Sequence, residues 1–220
     1  MKFILLFGII IMLGILSFIL TYIIMRFAVR NKMTVIPNER SLHDMPTPKG
    51  GGIAIVLTWY AGITILFFSG IIERGLFFAL FSGVLLAIVS LIDDIRGLKP
   101  IIRLIVHFLT TILAFIFLEG LRPLVMPGIH FNYNYIVFPI AIVGMVWFIN
   151  LFNFMDGVDG FASLEAVIIC SVFFVFTWSL ATVLLIVCIT GFLYWNWPKA
   201  SIFMGDVGST QLGFILVVFG

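Results

Sequence analysis

Five aspartates and two asparagines carry the chemistry this chain is best equipped to do: Asp93-Asp94, Asn150, Asn153, Asp156, Asp159 and Asp206. Each sits at or near the edge of a long apolar run, and none lies at the middle of one. A carboxylate at a bilayer centre costs a few kcal/mol at least, so acids stationed beside spans point to function. Asn150, Asn153, Asp156 and Asp159 recur every third residue, which on a helix would present four oxygen-bearing groups on neighbouring turns of one face. Hard cations take such ligands. Polar capping of a helix end explains one Asn and one Asp, not four. Gly157 and Gly160 interrupt a regular helix, so the end of this segment is expected to form a loop over a ligand. The adjacent carboxylates Asp93 and Asp94 repel each other and call for a metal, a cation or a raised pKa, and Arg96, Lys99 and Arg103 follow closely. The plainer reading of that pair is a helix stop matched by neighbouring bases.

Two glycine-containing segments extend the pattern. Thr47-Pro48-Lys49-Gly50-Gly51-Gly52 runs straight into an apolar stretch. Its backbone N–H groups could approach an anion, the helix N-terminus would favour a phosphate, and Lys49 would add a mobile charge. A flexible helix entry is the alternative. The order of Gly and Lys excludes a P-loop. Phe203-Met204-Gly205-Asp206-Val207-Gly208-Ser209 offers a metal ligand in Asp206 and, in Phe203, a face on which a base could stack. His43, His107 and His130 add little: one lies in a loop, one in a span and one on the outer side.

The elements that must position these groups are membrane helices. The chain has 220 residues, is 63% hydrophobic and only 10% charged, and carries a formal net charge of +2. A soluble domain of this size could not hide so much apolar surface, and the runs are continuous rather than alternating, which favours helices over a barrel. Candidate spans cover 3–25, 51–70, 76–92, 101–118, 135–152, 161–177 and 181–197, and a further one opens at Thr210. The expected fold is all-α: a polytopic bundle of about seven full spans plus a truncated one, with cytoplasmic catalytic loops, forming one integral membrane domain over 1–220. The first run is too long for a signal peptide and has no small-residue cleavage site, so it reads as a retained helix. The polar, proline-punctuated segment Arg26 to Lys49 reads as a cytoplasmic loop or a re-entrant piece. Alternating helices place nine basic residues on one side, among them Arg26, Arg40, Lys49, Arg96, Arg103 and Lys199, against Lys2, Arg74 and Arg122 on the other. That bias makes the nine-residue side cytoplasmic. The same alternation gathers Asp93, Asp94, Asp156, Asp159 and Asp206 there, where nucleotides and Mg²⁺ are found. Cys170 and Cys188 lie inside spans and read as small apolar residues. The basic residues are juxtamembrane, so no nucleic-acid partner is implied.

Pro37-Asn38-Glu39-Arg40-Ser41-Leu42-His43 with Thr47 to Gly52, then Asp93-Asp94, Asn150 to Gly160 and Phe203 to Ser209, resemble the motifs of the polyprenyl-phosphate N-acetylhexosamine-1-phosphate transferases, glycosyl transferase family 4. The Pro-Lys-Gly-Gly-Gly form is closer to the O-antigen initiating branch than to the peptidoglycan branch. The resemblance implies transfer of a sugar-1-phosphate from a UDP-sugar to a polyprenyl (undecaprenyl) phosphate, with release of UMP, in a bacterial inner membrane with the active site facing the cytoplasm. It implies Mg²⁺, with Mn²⁺ as a substitute, and it admits a homodimer. By motif position, Asn153 and Asp206 would hold the metal, and Arg103 would contact the diphosphate beside Lys49. Phe203 would stack on uracil, and Asp159 would help bind the uridine. Asp93 would contact the acceptor phosphate, supported by Asp94 and Asp156. Family members continue through further helices and a cytoplasmic His-containing loop, so this chain, ending at Gly220 within a helix, is expected to be incomplete at its C-terminus.

Two other classes compete. An intramembrane aspartyl protease would pair two acids, one in Gly-x-Gly-Asp; here Phe203 stands in place of the first Gly, and Asn153 goes unexplained. A cation-coupled transporter or channel would place acids near the bilayer midplane rather than at one interface.

Overall fold

A computed structural model describes residues 2–31, 34–35, 46–119 and 137–220. Among them are eight helices: α1 (Lys2–Arg30), α2 (Gly52–Phe68), α3 (Arg74–Arg96), α4 (Pro100–Phe117), α5 (Val137–Met155), α6 (Phe161–Thr177), α7 (Leu180–Asn196) and α8 (Asp206–Phe219). Two short strands, β1 (Thr34–Val35) and β2 (Thr47–Pro48), pair antiparallel with Thr34 opposite Pro48 and Val35 opposite Thr47. The expected loop over 26–49 is thus shorter than its polarity suggested: α1 runs on to Arg30, and part of the remainder is strand. Residues 36–45, with the first resemblance motif, His43 and Arg40, lie outside the described residues, as do Arg122 and His130.

Local chemistry sets the helix ends. Pro100 opens α4 at a position where its missing N–H costs nothing. Ser179 caps α7 by accepting from the Ala181 N–H. Gly97 ends α3 with φ of 66°, its N–H donating to the Asp93 carbonyl. Two boundaries differ from the apolar pattern in a way that matters for function. Helix α3 continues past residue 92 to Arg96, and α8 opens at Asp206 rather than at Thr210. Charged residues mark where the chain leaves hydrocarbon, but they do not stop a helix, and an aspartate in a first turn is favoured by the helix dipole.

Among the described residues, four helices are long and apolar enough to cross a membrane: Leu5–Arg30 within α1, α3, α4 and α5. The apolar helices α2, α6 and α7 have 17 residues each and α8 has 14. The outward faces are lipid-like, with Phe68, Phe154 and Phe176 at least 80% exposed. Inside, Trp59, Phe152, Phe192 and Phe214 are fully buried.

The innermost element is α8, of which nearly every residue is buried. It packs against α3, α5, α2 and α6. Small residues allow this: a Cβ on Gly52 of α2 would lie 2.4 Å from Gly208 Cα, and one on Gly213 would lie 2.9 Å from Phe152 Cβ. Such close backbone approach is the usual basis of helix association in lipid, where hydrophobic burial gives no driving force. Each helix reverses the direction of the one before, so the C-terminal ends of α3, α5 and α7 and the N-terminal ends of α2, α4, α6 and α8 share one end of the bundle, as the hydrogen bonds and ion pairs among them require.

Candidate active site

Asp206, in the first turn of α8, lies between two cations. Its Oδ1 is 3.4 Å from Lys49 Nζ and its Oδ2 3.2 Å from Arg103 Nη1. Lys49 also pairs with Asp94 at 2.6 Å, and Arg103 with Asp93 at 2.8 Å. The five groups form one alternating row, Asp94, Lys49, Asp206, Arg103, Asp93, in which each base serves two acids. Arg103 comes from the first turn of α4 and the two adjacent aspartates from the last turn of α3. Asp93, Asp94 and Arg103 therefore stand on helix ends, and so does Asp206, which was expected in a loop before the last span; Lys49 alone precedes its helix.

The aspartates of this row do different things. Asp94 accepts the backbone N–H of Asp206 at Oδ1 and of Val207 at Oδ2, both at 3.1 Å, so it caps α8 and faces the positive end of that helix. Asp93 is buried and accepts the Leu98 N–H at Oδ1, leaving Oδ2 for Arg103. Lys49 is held above its ordinary pKa: burial alone would lower it, but Asp94 and Asp206 outweigh burial.

Asp156 follows α5 in the turn and is half-buried beside this row. Its carboxyl is pushed up to about 8, first by burial and then by the Asp206 and Asp94 charges, against the Gly205 N–H and Lys49. Gly205 makes that contact possible, since its φ of 80° lies in the left-handed region and a Cβ there would meet Asp94 Oδ2 at 2.9 Å. Asn153, one turn earlier on α5, donates from Nδ2 to Ser209 Oγ of α8 at 2.8 Å. All of Lys49, Asp93, Asp94, Arg103, Asn153, Asp156 and Asp206 are thus brought together.

The other two expected residues make backbone contacts around the row. Asp159 accepts the Ala200 N–H at 2.9 Å and so ties the turn after α5 to the segment before α8. Phe203 is half-buried, and its backbone forms a parallel bridge with Lys49.

The three glycines after Lys49 do not form a phosphate cradle. The Gly50 and Gly51 N–H groups both donate to the Phe203 carbonyl, at 3.1 and 2.9 Å, and the Gly52 N–H donates to the Met204 carbonyl at 2.9 Å. These donors, which looked available, hold the 203–204 backbone against the entry to α2. The glycines serve close packing, with the site of a Gly51 Cβ occupied by Phe192.

One residue that the motif reading passed over completes the scaffold. Asn196, the last residue of α7 and buried, accepts from the Gly160 N–H at 3.1 Å and donates to the Ile202 carbonyl at 3.0 Å. Its signal was available: an amide closing an apolar run just before Trp197-Pro198.

With Asp93, Asp94 and Asp206 ionised against Lys49 and Arg103, and the raised Asp156 carboxyl mainly protonated at neutral pH, three negative charges face two positive ones. Burial first, and then the neighbouring Asp206 and Asp94 charges, keep the Asp156 proton in place. Among the described residues no three His, Cys, Asp or Glu groups form a closed metal cage. Mg²⁺ does not need one: it binds through one or two carboxylates together with waters and substrate phosphates. The oxygen-rich, net-negative set fits such an ion.

The glycosyl transferase family 4 model matches residues 76–220. A Bacillus subtilis (strain 168) protein whose name reads "Probable undecaprenyl-phosphate N-acetylglucosaminyl 1-phosphate transferase" is 30% identical over 212 residues, covering 91% of this chain and 58% of its own length. The undecaprenyl-phosphate alpha-N-acetylglucosaminyl 1-phosphate transferase of Thermotoga maritima is 33% identical over 208 residues, 91% of this chain and 60% of its own. A phospho-N-acetylmuramoyl-pentapeptide-transferase of Streptococcus pneumoniae is 32% identical over 189 residues, 77% of this chain and 57% of its own. The chain therefore spans somewhat under two thirds of the length of these relatives. The family match runs from α3 through α8 and includes six of the seven side chains gathered at the site, and on that ground this chain belongs to glycosyl transferase family 4.

Proposed function

We propose that the protein transfers a sugar-1-phosphate, of N-acetylhexosamine type, from a UDP-sugar to a membrane polyprenyl phosphate, initiating a lipid-linked glycan. The observation that carries this reading is the shared row of acids and bases, with Asp206 between Lys49 and Arg103 at the end of an otherwise apolar bundle. Two cations flanking one carboxylate suit a diphosphate bridged to a divalent ion, and phosphoryl transfer depends mainly on positioning and charge neutralisation.

In the reaction, an oxygen of the acceptor phosphate forms a bond to the sugar-bearing phosphorus of the donor. The bond from that phosphorus to the bridging oxygen breaks, UMP leaves, and a lipid-linked diphosphate remains. Asp206 and the Asn153 carbonyl oxygen are assigned to Mg²⁺, for which Mn²⁺ would substitute. When bound, the ion would screen the diphosphate charge and make its phosphorus more electrophilic. Arg103 and Lys49 then turn from the acids toward phosphate oxygens, Arg103 by its planar fork and Lys49 as a point charge. Asp93, freed of Arg103, is assigned to the acceptor phosphate. A phosphate monoester with a second pKa near ~6 is already largely ionised at neutral pH, so Asp93 is needed more for placement than as a base. Asp156 supports the ion, Phe203 offers its ring to uracil, and Asp159 is assigned to the uridine side through the 156–160 turn.

The membrane arrangement belongs to the same proposal. Helices of 17 residues stand at the lower limit of a span, about 25 Å at ~1.5 Å per residue, so seven full spans are consistent with these lengths. The basic end bearing Arg26, Lys49, Arg96 and Arg103 is assigned to the cytoplasm, in a bacterial inner membrane.

The test is to incubate membranes carrying the protein with Mg²⁺, undecaprenyl phosphate and a panel of UDP-sugars. UMP release matched by a lipid-linked product is expected with a UDP-N-acetylhexosamine and is lost on chelation. No release with any UDP-sugar, beside an active control enzyme, would sink the reading.

A further inference from the structure

One turn below Arg103 and one turn below Asn153 lies a polar pair that the mechanism has not used. His107, on α4, is 4% exposed, and its Nδ1 is 3.1 Å from Asn150 Nδ2 on α5. The same Asn150 nitrogen lies 2.7 Å from the Val146 carbonyl, which can only accept. The atom facing Val146 must therefore be the amide nitrogen, and its second hydrogen is directed at His107. Nδ1 must accept, which places the ring in its neutral form with the proton on Nε2. Among the described residues this is the one hydrogen bond joining α4 to α5.

Its position gives it a lever on the site. Arg103 and His107 are four residues apart on α4, and Asn150 and Asn153 three apart on α5, so each pair shares a helix face. The bond therefore sets the register between the helix that carries the diphosphate cation and the helix that carries the proposed metal amide. Around His107 the charged neighbours are Arg103 on its own helix and Asp206 on α8. A wholly apolar contact at this depth would seal the bundle equally well. A buried, directional bond instead resists both sliding and rotation of α5 against α4, at the cost of desolvating two polar groups.

We propose that His107, acting through Asn150, is a positioning residue that fixes Asn153 relative to Arg103 and so sets the affinity of the site for a divalent ion. The proposal rests on the assignment of Asn153 to that ion. It needs two readouts: the Mg²⁺ concentration giving half-maximal transfer, and direct Mn²⁺ binding followed by electron paramagnetic resonance in detergent without any sugar nucleotide.

In the full protein, His107→Leu is expected to raise the half-maximal Mg²⁺ concentration and the Mn²⁺ dissociation constant by about five- to tenfold, with the KM for the lipid acceptor changed less than about twofold. His107→Asn, whose amide oxygen can accept near the Nδ1 position, should recover most of the metal affinity. Asn150→Leu should match His107→Leu, and the double variant should be no worse than either single one, because one shared bond is lost in all three. Unchanged metal affinity in His107→Leu would overturn the proposal, as would an additive double variant. A fall in melting temperature with normal Mn²⁺ binding by the folded fraction would also overturn it, by reducing His107 to a packing role. If the unaltered protein binds Mn²⁺ but turns over no UDP-sugar, the transferase reading fails, while the Mn²⁺ series still decides the role of His107.

Discussion

Adjacent carboxylates on one helix end have been assigned opposite employment by their neighbours. Asp93 spends one oxygen on the Leu98 N–H and the other on Arg103, whereas Asp94 spends both on the first N–H groups of α8 and takes Lys49 as its counter-ion. Replacing Asp94 by Ala therefore removes a helix cap and leaves Lys49 with Asp206 alone. A loss of about 1–2 kcal/mol in thermal unfolding is expected, together with reduced activity. Asp93→Asn keeps the Leu98 contact but weakens the grip on Arg103. Its turnover should fall with the pH profile of the remaining activity retaining its shape; loss of one ionisation with unchanged acceptor affinity would show that Asp93 acts as a base. Asp156 carries the pH dependence. Its folded pKa, about 8, lies above the ordinary carboxylate value, so its contribution to stability is fully present below about pH 4 and is lost as pH rises through 8. Stability measured without divalent ions should decline across that window, by part of the ~1.4 kcal/mol per pH unit that one proton can contribute, and Asp156→Asn should flatten the decline. The motif spacing made all these acids visible, but not their division of labour, because spacing along one helix says nothing about which backbone N–H groups another helix will bring.

At the scale of elements, the decisive contact is between α8 and its neighbours. Gly52 and Gly208 let the entry to α2 touch the first turn of α8, and the three N–H groups of Gly50, Gly51 and Gly52 hold the 203–204 segment in place. Gly52→Ala would push a methyl group to 2.4 Å from Gly208 Cα, backbone that cannot give way as a side chain would. It is expected to cost about 1–3 kcal/mol and to lower turnover more than substrate affinity, because Asp206 moves with α8. Melting temperature and KM-against-kcat measurements on Gly52→Ala would check this; a stable variant with normal turnover would mean that the α2–α8 approach does not set the site. The helices themselves were legible in the runs of apolar residues, usually to within a few residues. Less legible were the ends that matter most. Nothing in hydropathy says that α3 should carry Asp93-Asp94 within its last turns or that Asp206 should open α8. The glycines of 50–52 read either as anion ligands or as a helix entry, since a sequence shows that an N–H can be approached but not by what.

For the whole molecule, the argument is topological. Among the described residues, an alternating bundle of eight helices brings the ends of α3, α4, α5 and α8 together beside Lys49 at the entry to α2, and each of these contributes a polar group at a place where the rest of the chain is apolar. Loop charge in the sequence pointed to that convergence. The measurement that bears most directly on the chemistry is the fate of the donor's two phosphorus atoms. A UDP-N-acetylhexosamine labelled at the phosphorus next to the sugar is incubated with the protein, Mg²⁺ and undecaprenyl phosphate, and the lipid and aqueous phases are separated. Label should move into the lipid phase in step with UMP, and Asp206→Asn should cut the transfer on the order of 100-fold or more. Label left in water as UDP, with the sugar alone in lipid or with no lipid product, would contradict phosphosugar transfer at this site.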